Sequence, residues 1–369
     1  MRFGRVLCAA ALLLALPVAR PAAAGEVSSS RLREVSLLLQ RLCEVSAVSS
    51  HEGPMTRRVR SLLPQGMQGA VDARGNLIVE LGQGGPELTF IAHMDEIGYE
   101  VKGVEADGRV TVVRKGGFLD YLYEGHPVVI WTANGPVNAV VAPRGTWLDA
   151  NPRDTFGPED VRLDVGTDSW AATGALGIRV GDYVTVVKRY ARLGRYGASA
   201  RSMDDRVGCA SLLLALKELE GRRLSRKVRF VFSVEEELGL NGAEAAARQE
   251  PGAVCFAIDT FVSSDSPLES GRYADAPLGA GCVVRAIDAS SIAARRDVER
   301  VVALAQSHHV DIQKGLTGGG NDGSKYVTEG AADVPLGWPL RYSHSAAETV
   351  DLRDVDALAE LVALLAERY

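Results

Sequence analysis

Val228-Arg-Phe-Val-Phe-Ser-Val-Glu235-Glu236-Glu237-Leu238-Gly239 is a β-branched and aromatic run that ends in three consecutive carboxylates. Residues 227–234 read as a buried strand, and Gly239 with Asn241-Gly242 reads as the turn that follows. The acids therefore fall at a strand's carboxyl end, the edge at which open α/β sheets place their ligand sites. Three adjacent carboxylates repel one another, and partial burial raises the cost. Either a cation holds them together or the turn is a solvated acidic one, and the rest of the chain has to decide.

Two further runs have the same design. Leu88-Thr-Phe-Ile-Ala92 reads as a buried strand ending in His93-Met94-Asp95-Glu96-Ile97-Gly98, and Val254-Cys-Phe-Ala-Ile258 as another ending in Asp259. Parallel strands expose their carboxyl ends at one edge, so groups far apart in sequence converge there. Helical periodicity over residues 30–45, 54–63, 205–220, 243–248, 297–308 and 354–368 flanks these strands. Strand and helix alternate, which implies an α/β fold with a mostly parallel sheet covered by helices on both faces.

Residues 99–187 have a different texture. Val110-Thr-Val-Val113, Pro127-Val-Val-Ile-Trp131 and Val137-Asn-Ala-Val-Val141 are short strand-like segments separated by turn residues, apart from a short helical piece at 170–176. They read as a small, barrel-like β domain inserted into the catalytic one. Domains are therefore expected at 25–98 (catalytic, first part), 99–187 (insert) and 188–369 (catalytic, second part).

Residues 1–24 read as an export signal. Met1-Arg-Phe-Gly-Arg5 is basic, Val6 to Val18 is apolar, and Ala22-Ala23-Ala24 precedes Gly25 as a small-residue cleavage site. The expected location is the periplasm or outside the cell. Composition is ordinary for a globular protein, with 46% hydrophobic and 24% charged residues in 369. A formal charge of −6 with no basic block argues against nucleic acid, and no later stretch is long and apolar enough for a membrane span. The four cysteines after the signal, Cys43, Cys209, Cys255 and Cys282, form no Cys-x-x-Cys pair and are expected as buried free thiols.

Two more segments carry candidate chemistry. Met203-Asp204-Asp205-Arg206 opens a helix, where one carboxylate can cap while its neighbour points elsewhere. Arg341-Tyr342-Ser343-His344 places a histidine in a polar turn before the last helix. Two histidines with several carboxylates and no cysteine ligand suit zinc, cobalt or manganese, and a carboxylate outside the ligand set would serve as general base. Gly318 to Lys325 has the order Gly-Ser-Lys where a phosphate loop needs Gly-Lys-Ser/Thr, and no Gly-x-Ser-x-Gly elbow occurs. His51 and His126 read as surface residues, and His308-His309 as the cap of a helix end.

His93-Met-Asp-Glu-Ile-Gly98, Met203-Asp-Asp-Arg206, Glu236-Glu237-Leu-Gly239, Asp259 and Arg341-Tyr-Ser-His344 resemble, in order and approximate spacing, the M42 family of dinuclear metal aminopeptidases. The resemblance covers essentially the whole chain after the signal. It implies a zinc-peptidase-like catalytic domain and hydrolysis of the N-terminal residue of peptides. Two divalent ions, zinc with cobalt or manganese as alternatives, would be bound. Asp204 would bridge them, His93 and Asp259 would complete one shell, and Glu237 and His344 the other. Glu236 would be the general base, and Asp95 would accept the second ring N–H of His93. A homo-oligomer, such as the family's dodecamer, is expected; some members are called endoglucanases. Ala142-Pro-Arg-Gly-Thr146 stands where the family carries a Pro-Pro-His-like stretch. The same scaffold would also suit a metal-dependent deacylase or carboxypeptidase, and a non-catalytic binding protein is the alternative of another class.

Overall fold

The computed structural model describes residues 27–84, 86–144, 156–263, 265 and 276–369. The export-signal reading of residues 1–24, and the last residues of the stretch 142–146, lie outside them.

Three strands form the middle of a nine-stranded sheet: Lys227–Ser233, Pro86–His93 and Val254–Val262, all parallel. Their register aligns Phe230 with Phe90 and Phe90 with Phe256. The three rings stack as a row, with centroids 5.4 and 5.0 Å apart. Such cross-strand aromatic pairs fix register as well as adding contact area. The row faces the helices Ser29–Cys43, Met203–Glu218 and Leu352–Arg368, whose Leu, Val and Ala side chains complete the main core. On the opposite face Ile91, Val231 and Ala257 meet Ala243, Ala246 and Ala247 of the helix Asn241–Gln249. Strands apolar on both faces are what a helix-covered parallel sheet requires.

Outward from the centre lie Leu77–Leu81 and Ala70–Val71 on one side, and Leu336–Leu340, Cys282–Ile287 and Ile312–Leu316 on the other. Antiparallel pairs occur only towards these flanks. Asp259 differs from expectation in one respect: its strand does not stop at Ile258. Thr260, Phe261 and Val262 extend it along Leu336–Leu340, although the pairing with the His93 strand ends at Ala257. Asp259 thus lies within a strand, two residues beyond the point where pairing with the His93 strand stops.

The turn after Ser233 is tight because Gly242 lies directly against it. A Cβ at Gly242 would come 2.3 Å from the Val234 carbonyl oxygen, so only glycine fits.

Six strands between Gly98 and Val186 close an antiparallel barrel. Alternation along Pro127–Thr132 points Val128 and Ile130 inward, where they meet Tyr99, Val112, Leu163 and Val184 in a separate core. A three-stranded sheet of Ala191–Leu193, Gly197–Ala200 and Glu348–Asp351 had no counterpart in the sequence reading. It ties the segment after the barrel to the chain before the last helix. The described cysteines are all buried free thiols.

Asp333, in the short strand Ala332–Asp333, is buried with its carboxyl pushed up to about 7, by burial first and by nearby Asp288 in addition. A folded value above the ordinary 3.8 means that the protonated acid contributes stability at low pH, which is lost as pH rises from about 4 to 7. Asp333→Asn, which mimics the protonated form, is expected to exceed the parent at pH 8 by up to roughly 4 kcal/mol and to match it near pH 4. Urea unfolding of both proteins across this range checks it, and a constant difference would refute it.

Candidate active site

Asp204 occupies the centre of the carboxyl edge. It and Asp205 have non-helical backbone angles at the start of Met203–Glu218. Asp205 turns inward: Oδ1 accepts the Gly208 N–H at 2.7 Å and Oδ2 the His93 N–H at 3.1 Å. A Cβ at Gly208 would sit 2.3 Å from that Oδ1, so this helix turn has to be glycine. With its neighbour acting as the cap, Asp204 is free to face the cleft.

Two imidazoles address Asp204 from opposite sides. His93 Nε2 lies 3.1 Å from Oδ1, and His344 Nε2 lies 3.3 Å from Oδ2. Their other nitrogens are held by oxygen acceptors. His344 Nδ1 is 2.5 Å from the Gly117 carbonyl of the barrel, and His93 Nδ1 is 3.2 Å from the Asp95 carbonyl, with Asp95 Oδ1 at 3.4 Å. In the neutral ring, a proton on Nδ1 would leave each Nε2 with a lone pair aimed at the centre. Donor atoms of His93, Asp204 and Asp259 lie within 4.8 Å of one another, as do those of Asp204, Glu237 and His344. The two groups share Asp204, and Glu236 belongs to neither.

The three glutamates are sorted by their backbone. Glu235 N–H donates to Glu52 Oε1 at 3.0 Å, and Glu236 and Glu237 N–H donate to the two oxygens of Asp95 at 3.1 and 3.2 Å. Ser49 Oγ fixes Asp95 at 2.6 Å, and the Ser50 N–H fixes Glu52 at 2.9 Å. Glu235, at φ 53°, sends its carboxylate away to Arg74, Ser50 and Asn241. Glu236 and Glu237 line the cleft. The His93 ring is thus bonded by the Asp95 backbone carbonyl, with the Asp95 carboxylate 3.4 Å away, and that carboxylate holds the amides of both cleft glutamates.

Charge in this centre is unbalanced. Burial, with neighbouring carboxylates, pushes Glu237 up to about 7, raises Glu236 well above the carboxylate range and raises Asp259. Burial alone would lower His344; Glu237 and Asp204 outweigh it and raise the imidazole to about 10. The same balance lifts His93 well above its ordinary value and holds Asp204 well below its own. Arg285 reaches the cluster, 3.2 Å from Asp259, but is shared with Asp288 at 3.1 Å.

Comparison with known proteins decides what chemistry this geometry serves. The family profile described as M42 glutamyl aminopeptidase matches residues 75–361. The chain belongs to the M42 family. Lysyl aminopeptidase of Pyrococcus furiosus is 27% identical, over 89% of this chain and 96% of its own. Glutamyl aminopeptidase of Lactococcus lactis is 26% identical, over 83% and 88%. The solved Pyrococcus horikoshii TET1 peptidase, which assembles into a tetrahedron or a large octahedral shell, is 32% identical. The match covers 91% of this chain and all of that one, with a TM-score of 0.84. As an M42 protein the chain is a metal-dependent hydrolase of peptide bonds at free N-termini.

The residues fit such a metal. Imidazole and carboxylate donors converge without sulfur, and the carboxyls of Glu236, Glu237 and Asp259 stay raised even with the two imidazoles beside them. Histidines outside the M42 centre have other settings. His51 stacks on Tyr183 and pairs with Glu100 at 3.1 Å, and His308 ends an exposed helix turn. Sequence reasoning missed Glu52, Arg285, Asp322 and Glu348. Glu348 accepts the Asp204 N–H at 3.2 Å and the His344 N–H at 2.8 Å, and Asp322 takes the Ser233 hydroxyl at 2.5 Å. Glu52 was within reach as the acid beside His51 at a helix start; the others are single polar residues with no local pattern.

Glu52→Ala removes the acceptor of the Glu235 amide and is expected to lower kcat/KM by about 10–100-fold, whereas Glu52→Gln, which keeps an oxygen there, retains most of it. Steady-state kinetics with a metal titration of both variants tests this; equal losses would show that charge, not the hydrogen bond, matters.

Proposed function

We propose that the protein is an exported two-metal aminopeptidase with Glu236 as general base. The observation that carries the reading is the pair of donor groups that share Asp204 and leave Glu236 outside both. His93 and Asp259 would hold one ion, Glu237 and His344 the other, with Asp204 between them. Nitrogen and oxygen donors favour zinc, with cobalt or manganese also accommodated.

When bound, the ions would polarise the scissile carbonyl and lower the pKa of water. The chain's own part is proton handling and positioning. Glu236, lining the cleft with a carboxyl raised by burial, takes the proton of the attacking water and returns it to the leaving amine. Asp95 keeps that carboxylate in place through the Glu236 amide. The acidic floor complements a substrate's free ammonium group.

Likeness to the TET1 peptidase, solved as a dodecamer and able to assemble into a tetrahedron or a large octahedral shell, supports a homo-oligomer, up to the dodecamer. Export rests on the basic, apolar and small-residue order of residues 1–24. Among the described residues no helix is long and apolar enough to cross a membrane. Cells making the full chain are expected to yield a mature protein beginning at Gly25 in the periplasm or medium; N-terminal sequencing that finds Met1 intact refutes export.

Glu236→Gln is expected to retain two metal ions per chain while kcat falls by about 100-fold or more. Metal analysis beside hydrolysis of peptides with free and acetylated N-termini checks it. A metal-loaded, fully active variant excludes Glu236 as base.

A further inference from the structure

The cleft, of about 1170 Å³, has a floor and a wall of opposite character. The floor is the acidic centre. The wall comes from the barrel, at the 3₁₀ turn Asp120–Tyr123 and the residue before it, with Tyr342 contributed by the catalytic domain. Leu119, Tyr121, Leu122 and Tyr342 line the cleft while 54%, 41%, 38% and 37% exposed. Large apolar side chains gathered at a cavity and left open to water mark a surface meant for an apolar ligand group.

The wall is anchored to the chemistry beside it. Tyr123 donates to the His344 carbonyl at 3.1 Å, and the His344 ring meets Gly117 of the same barrel segment. Behind it Phe118 is buried edge-on against Tyr99 and Tyr123, each 5.1 Å away. Leu119 and Leu122, next in the chain to Phe118 and Tyr123, thereby line the cleft from a packed support.

Charge on the lining narrows the choice. Arg114 pairs with Asp120 at 3.1 Å and donates to the Phe118 carbonyl at 2.6 Å, and Arg285 is shared by Asp259 and Asp288. Among the described residues, the carboxylates of the lining are Asp204, Glu236, Glu237 and Asp259, all in the floor. Neither an acidic nor a basic substrate side chain has an uncommitted counter-charge on the wall.

We infer that this wall is the pocket for the side chain of the substrate's N-terminal residue and selects large neutral apolar residues, such as leucine and phenylalanine, over acidic and basic ones. The inference rests on the aminopeptidase reading and departs from the side chains for which the lysyl and glutamyl relatives are named. A substrate's ammonium group meets the acids while its side chain covers Leu119, Leu122 and the two tyrosines. A charged side chain there would lose water and gain no partner.

The test uses the metal-loaded protein with X-Ala-Ala peptides, X being Leu, Phe, Ala, Glu or Lys, each with a free and an acetylated N-terminus. For Leu and Phe, kcat/KM is expected to exceed that for Ala, Glu and Lys by about tenfold or more. Leu119→Arg is expected to raise the Glu-to-Leu ratio by about tenfold, and Leu122→Ser to lower the Leu-to-Ala ratio by about threefold or more. Both positions are exposed, so the fold tolerates the changes, and light scattering follows the assembly. Fastest release of Glu or Lys overturns the inference. So do unchanged ratios in both variants; a changed particle mass with unchanged ratios reassigns the patch to a subunit contact. Release of no residue from any free peptide sinks the aminopeptidase reading itself, whereas a different ranking sinks the pocket alone.

Discussion

Negative charge gathered at one edge of the sheet is the constraint around which the molecule is arranged. Carboxylates this close, and this far from water, stay ionised only if positive charge meets them. Around the centre arginines supply it; at the centre it comes from the His93 and His344 rings. Arg206, wholly buried, donates to the Met94 carbonyl and lies 3.4 Å from Glu96. Arg201 pairs with Glu348 at 3.1 Å, and Arg285 stands between Asp259 and Asp288. Each of these cations serves a carboxylate behind or beside the cleft glutamates; among the described residues no arginine or lysine pairs with Glu236 or Glu237, and Glu237 meets the His344 ring at 3.5 Å. Removing one member of such a buried pair strands the other, so these guanidiniums are bound to their places as firmly as core leucines.

The same compensation fixes the insert to the catalytic domain. Glu96 lies two residues before the first barrel strand, and Lys188 two residues after the last. Their side chains are paired, and both bond Ser202 Oγ at 2.6 Å, two residues before Asp204. Burial would raise Glu96, but Lys188, Arg206 and Arg201 outweigh it and hold the carboxyl down to about 2; burial draws Lys188 down to about 8. Entry to and exit from the barrel therefore meet at one ion pair beside the central carboxylate. His344, whose ring reaches the Gly117 carbonyl, makes a second crossing. A barrel pinned at both places can present a wall to the cleft without a flexible join.

What the sequence disclosed, and what it withheld, follow from the range of the signals. The Phe230 and Phe90 strands were legible because a parallel strand buried on both faces is apolar throughout, and the barrel because its strands alternate. Carboxyl-end residues were legible because parallel pairing fixes where strand ends meet. Cys282–Ile287 escaped notice since Arg285 interrupts it, and that arginine is there for an Asp in another strand. Glu348 was invisible for a similar reason: its partners Asp204 and Arg201 lie at sequence distances where no periodicity reaches. Asp259 was placed at a strand end because Ile258 closes the apolar run, yet pairing with Leu336–Leu340 carries the strand onward.

Backbone conformation at the centre explains how such a crowded arrangement persists. Ser202, Glu235, Tyr342 and His344 adopt φ of 72°, 53°, 62° and 58°, a left-handed region that costs side-chain-bearing residues roughly 1–3 kcal/mol each. Every one of them is a member of the centre or within two residues of Asp204, Glu236, Glu237 or His344. None is glycine, so each backbone is held there by what surrounds it. Glu52 grips the Glu235 amide, Glu348 the His344 amide, and the Glu96–Lys188 pair the Ser202 hydroxyl. The residues that were hardest to find in the sequence are thus the ones that hold the donor atoms in converging positions. Because this support comes from the protein's own carboxylates and cations, the donors are oriented by the fold itself, and a ligand ion has only to replace the missing charge.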